Sequence, residues 1–164
     1  MDYKKLSVPE LAKLISPASD AYVELKDRGI LRTKNVVGDL GEYLAIEHYT
    51  NSPKLPNIIQ TKANVRNIDA YGMNGERYSI KTVSSIKGTT GSFWDPESIK
   101  KNELKFEYLL IVVLDDDYSL NVILELTWKD FFKFKKFNKR MQNFQISLTN
   151  KLFDEVNIVF SKQA

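Results

Sequence analysis

Apolar positions change period along the chain, and each change marks an element. Ser7-Val8-Pro9-Glu10 has the Ser-x-x-Glu spacing of a helix capping box. A short helix is therefore expected to about Ile15, stopping before Pro17. A second, Ser19 to Arg28, ends with Gly29 in the C-cap position. From Lys34 to Tyr49, Val36, Val37, Leu40, Leu44 and Ala45 form one helical stripe. Gly38 and Gly41 interrupt it, each at a cost of ~1 kcal/mol relative to Ala, which points to close packing against another backbone. Asn51 to Pro56 reads as a loop and Asn57 to Thr61 as a first strand.

Val65 to Ser85 changes to a period of two and predicts two antiparallel strands around a tight turn. A two-residue Asn74-Gly75 turn would put Asp69 and Lys81 on opposite faces. A three-residue loop, Met73 to Gly75 with Gly75 left-handed, sets Ile68 opposite Ile80 and Asp69 opposite Ser79. The second register joins apolar to apolar and is the expected one. It places Asp69, Ser79 and Lys81 on one face, and Ile68, Ala70, Tyr78 and Ile80 on the other.

A Gly/Thr/Ser loop containing Phe93 and Trp94 follows, then a short basic helix from Pro96 to Leu104. Tyr108 to Leu114 is continuously apolar, as in a central strand. Asp115 to Asp117 turns the chain, and Leu120 to Trp128 returns as a strand. Lys129 to Met141 reads as one amphipathic helix. Phe131, Phe134, Phe137 and Met141 lie inside, and Lys129, Lys133, Lys136 and Arg140 form a basic outer stripe. Two short strands, Phe144 to Leu148 and Val156 to Phe160, flank a helical turn. No repeat or linker is visible. A single domain over 1–164 is expected: an N-terminal helical segment (1–33), a core (34–128) and a C-terminal helix with strands (129–164).

Composition narrows the chemistry. The 164 residues are 43% hydrophobic and 27% charged, as in ordinary globular domains. Zero cysteines remove disulfides and thiolate chemistry, and the single histidine, His48, excludes multi-His zinc sites. The apolar run at Tyr108 is too short to span a membrane, and no signal peptide is visible, so a cytoplasmic protein is expected. A net charge of +3 permits a polyanionic partner without demanding one.

Asp69 with Lys81 on an otherwise apolar hairpin has two readings. One is a surface cross-strand ion pair, worth ~0.2–1 kcal/mol. The other is a metal-dependent phosphodiesterase, with Asp69 on a divalent cation and Lys81 at the attacking water. By position alone, Glu42 is a helix-surface carboxylate with a partly buried stem, and the basic stripe is a solvated face, with phosphate contact as the alternative.

Gly41-Glu42 on a helix, Ile68-Asp69 on a strand and Ser79-Ile80-Lys81 on the next strand occur in that order. The order resembles the PD-(D/E)xK nuclease superfamily, which includes restriction endonucleases and Holliday-junction resolvases. The resemblance covers roughly Val36 to Leu126 and departs from the family at Ser79, where a second acid is usual. It implies an α/β fold with a restriction-endonuclease-like core, a mixed central β-sheet with flanking helices in α-β-β-β-α-β order. It implies a Mg²⁺- or Mn²⁺-dependent DNA endonuclease with Glu42, Asp69 and Lys81 catalytic. Asp69 and Glu42 would hold the metal, with the Ile80 carbonyl and, weakly, the Ser79 hydroxyl. Lys62, Arg66 and Lys87 would support the phosphate backbone. Phe93 and Trp94 would stack on a base or wedge a groove, or else pack the loop onto the sheet. DNA is the expected partner, no membrane is involved, and a homodimer is compatible. Two other classes stay open: a nuclease-like domain that binds DNA or protein without cleaving, and an unrelated α/β interaction module.

Overall fold

In the computed structural model, residues 3–62 and 67–162 are described. A mixed six-stranded sheet runs β1 (Ile58–Gln60), β2 (Ala70–Gly72), β3 (Arg77–Val83), β4 (Tyr108–Leu114), β5 (Leu120–Thr127) and β8 (Asn157–Ser161), in that spatial order. Neighbours are antiparallel except β3 and β4, which are parallel. A parallel pair needs a long crossover. Here it is the segment from Ser84 to Glu107, which carries α3 (Pro96–Lys100). No helix among the described residues is long and apolar enough to cross a membrane.

The central strand β4 is buried on both faces, which explains its unbroken apolar run. On one face, α2 (Val36–Asn51) lays Ala45 and Tyr49 against Ala70, Tyr78, Ile80, Leu110 and Val112. On the other, Phe93, Phe106 and Phe131 cover Leu109, Ile111 and Leu124. This second layer is built from the crossover, α4 (Trp128–Phe134), the hairpin β6 (Lys136–Asn138) with β7 (Asn143–Gln145), and α5 (Asn150–Glu155).

Gly41 lies against β3. A methyl group there would overlap the Thr82 side chain, whose Cβ would be only 2.8 Å away. Gly41 thus makes a close approach to β3, but to the Thr82 side chain rather than to another backbone as expected. Gly38 instead faces Asn35, which caps α2 by accepting from the Gly38 N–H.

Two helix expectations need correction. The N-terminal segment is a single α1 (Val8–Asp27), continuous through Pro17. A proline forfeits one intrahelical bond, and here the helix absorbs it. Gly29 has φ 72 and ends the helix as expected. The Gly29 N–H donates to Lys26 and the Ile30 N–H to Leu25, a Schellman closure.

The helix expected from Lys129 to Met141 ends at Phe134. Asn138 then accepts from the Met141 N–H and starts a turn, and Phe137 meets Phe144 edge to face across the β6–β7 pair, with centroids 5.3 Å apart. Its aromatic spacing suited a helix, but a cross-strand aromatic pair and sheet hydrogen bonds outcompete it. The basic stripe therefore does not form. Lys129 and Lys133 lie on α4, Lys136 on β6 and Arg140 in the turn.

Candidate active site

The hairpin register is the expected one through Ala70↔Tyr78 and Tyr71↔Arg77. Gly72 N–H donates to Glu76, and Gly75, at φ 88, completes the three-residue loop. At Asp69 the ladder departs from expectation. Asp69 N–H also donates to the Tyr78 carbonyl, so Asp69 and Ala70 both stand against Tyr78 in the manner of a β-bulge. Asn67, at φ 60, then carries the chain away. Consequently Ile68 does not pair with Ile80. The Ile80 N–H, freed from the ladder, donates to Asp69 Oδ2 at 2.6 Å. The Asp69 carboxylate fills a backbone position that a continuous strand would have taken.

The parting of β2 from β3 opens a cavity of about 190 Å³. Asp69 and Lys81 line it from the hairpin, and Glu42 from α2, together with Ile80 and Thr82. The three residues of the sequence pattern, up to 39 positions apart, are brought together. Ser79 is not part of the lining. It has no solvent exposure, and its hydroxyl donates to Asp69 Oδ2 across 3.4 Å, a long contact. Its expected place as a weak metal ligand gives way to a place beneath Asp69.

Arg32 was not singled out by any periodicity, yet it is the cation paired with Glu42. Its guanidinium forms an ion pair with Glu42 and donates to the Thr61 carbonyl at 3.0 Å. The buried Asp39 holds this loop by accepting from the Arg32 and Thr33 N–H groups. The one sequence signal was the position of Arg32 just before the Asn35 cap of the Glu42 helix.

Burial raises the Glu42 carboxyl above its ordinary range, and the nearby Asp69 raises it further against the lowering by Arg32. Burial also raises Asp69, opposed by Lys81, the Ile80 N–H and Ser79. Burial thus disfavours the charged form of both acids, and Glu42 also feels the charge of Asp69. Thr82 Oγ1, in the same wall, is buried without a hydrogen-bond partner.

Among the described residues, no group of three or more His, Cys, Asp or Glu side chains is placed to hold a metal. Two carboxylates are nevertheless enough for Mg²⁺, which keeps several of its waters. The raised acids and the orphan hydroxyl fit such a cation.

The other candidates scatter. Lys62 and Lys87 are exposed, and Arg66 lies outside the described residues. Phe93 is 1% exposed and packs on Phe106 and Phe131, so it cannot stack on a base. Its ring instead carries Lys81 Nζ, 5.5 Å from the centroid. Trp94, the next residue, is 63% exposed. Lys133 is ion-paired with Glu155, while Lys129, Lys136 and Arg140 are exposed on separate elements. No protein-family model matches the chain, and no curated protein matches it.

Proposed function

We propose that the Glu42–Asp69–Lys81 cavity hydrolyses phosphodiester bonds in DNA with Mg²⁺ or Mn²⁺, in a restriction-endonuclease-like core of PD-(D/E)xK type. The observation that carries this reading is the convergence of two acids with raised affinity for protons and one lysine on a single small cavity. The element order α2-β1-β2-β3-α3-β4 agrees with it. A bound divalent cation would supply charge neutralisation at the scissile phosphate and an acidified water.

The chain's own residues do the positioning. Asp69 is oriented by the Ile80 N–H and Ser79, which leaves its Oδ1 for a cation. Glu42 offers Oε1 while Arg32 holds Oε2. Lys81, resting over the Phe93 ring, is held where an ammonium can meet a phosphate oxygen and the attacking water.

A second reading, DNA or protein binding without cleavage, is favoured by two observations. Ser79 supplies no second acid, and Arg32 already neutralises part of Glu42.

Metal titration with cleavage assays on linear, supercoiled and branched DNA separates the two. The nuclease reading expects Mg²⁺ or Mn²⁺ to raise the melting temperature. Asp69→Ala should abolish both that rise and cleavage, and Lys81→Ala should cut cleavage at least a hundredfold while sparing the fold. Wild-type protein with neither metal-dependent stabilisation nor cleavage leaves the binding reading.

A further inference from the structure

Beside the Asp69–Lys81 cavity, a larger one of about 750 Å³ is walled by Ile68, Trp94 and Leu104 and rimmed by Arg77, Asp95 and Lys105. Trp94 is 63% exposed and Leu104 46%. The backbone that presents the indole is nevertheless tied down. Phe93 N–H donates to the Phe144 carbonyl at 2.9 Å, and Asn67 Nδ2 reaches the Trp94 carbonyl at 3.5 Å. Asp95, at φ 64, accepts from the Ser98 N–H and pairs with Lys105 at 3.0 Å. The indole is thus exposed on a backbone that is held, and an aromatic face of this kind can stack on a base.

Charge decides which part of a nucleotide belongs there. Arg77 is held by Glu107 at 2.7 Å and Lys105 by Asp95, so the rim has little positive charge to spare for a phosphate. The cavity suits the uncharged ring of a base. The residue before Trp94 is the one whose ring carries Lys81, so the stacking surface and the phosphate-facing ammonium are set by adjacent positions in the chain. A base inside a continuous duplex has both faces covered by its neighbours and offers none to an indole.

We infer that Trp94 stacks on one unpaired nucleotide flanking the phosphate at Lys81, so that the substrate class is single-stranded, gapped or branched DNA rather than continuous duplex. The location of that phosphate rests on the nuclease reading of the neighbouring cavity.

Fluorescence anisotropy in EDTA, with a labelled single strand of about ten nucleotides, a gapped duplex and an intact duplex, tests this without cleavage. Trp94→Ala should weaken binding of the first two roughly 5- to 150-fold, the worth of one stacked base, and leave the intact duplex unchanged. Trp94→Phe should recover most of the loss. Equal weakening on all three probes, or none on any, overturns the inference. The two readings fail separately. Metal-dependent cleavage in a protein indifferent to Trp94→Ala removes the stacking surface and keeps the nuclease. A Trp94 effect in a protein that cleaves nothing under Mg²⁺ or Mn²⁺ removes the nuclease and keeps the nucleotide site.

Discussion

Tyr78 and Ile80 leave β3 toward α2, and Ser79 and Lys81 leave the same strand toward the Phe93 layer. The first pair is closed over by Ala45, Tyr49 and Ala70. On the second side the cover stops short: Phe93 lies under Lys81, but Ile59 and Tyr71 farther out are 64% and 41% exposed. Both faces carry core packing, but the second is open where β2 parts from β3, and there Asp69 and Lys81 meet Glu42 from α2. The difference shows that the site lies at a break in the sheet, held in place by the face that has no break.

The α2 face and the site meet at Gly41. Gly41→Ala pushes α2 off Thr82 and should cost about 1–3 kcal/mol, read as a lower denaturant midpoint at unchanged slope. Glu42 moves with the helix, so metal-dependent stabilisation should weaken as well.

Arg32→Gln tests the open side alone. It removes the cation paired with Glu42 and should cost about 1–2 kcal/mol without metal, less than the loss of a fully buried ion pair. With its competitor gone, Mg²⁺ should bind more tightly, measured by calorimetry. Unchanged stability and unchanged metal affinity would mean that Arg32 has no hold on the site.

The pH dependence sharpens the same contrast. Glu42 and Asp69 hold protons more tightly when folded than when unfolded, chiefly through burial. Without metal, their contribution is fully present below the ordinary carboxylate range and is lost as pH rises through their raised folded values. Asp69→Asn should flatten this slope in a pH series of melts. Saturating Mg²⁺ should reverse it, because the cation prefers the ionised pair.

The smallest effect belongs to α4. Lys133→Ala removes an ion pair with Glu155 that is largely open to water, and should change stability by less than about 1 kcal/mol. If the protein binds DNA as proposed, Lys133→Ala should leave the salt dependence of that binding unaltered, since the expected stripe does not form.

Much of this was legible in sequence because it is local. Period two, a Gly at the third loop position and an unbroken apolar run locate β2, β3 and β4, whereas Glu42 joined Asp69 and Lys81 only through the resemblance to a nuclease family and by position alone read as a surface carboxylate. Tyr49, Phe93 and Trp94 were not separable in the same way. The chain shows each as an aromatic, and only the packing decides that Phe93 is core and Trp94 is surface. Arg32 carried no period at all. Its role comes from Asp39 pinning a loop against Glu42.

The stretch from Lys135 to Gln145 marks the limit most clearly. Its aromatic spacing satisfies a helix, and a hairpin satisfies it as well once Phe144 is there to meet Phe137. Local patterning was enough for β2 to β5, for the hairpin loop and for Asp69 and Lys81 standing on the two arms of that hairpin. The tertiary structure decided where β2 leaves the sheet, which cation faces Glu42, and which of two locally acceptable conformations the Lys135 segment takes. Each of these depends on partners distant in the chain, whose contact energies exceed the small local preferences that sequence periodicity reports.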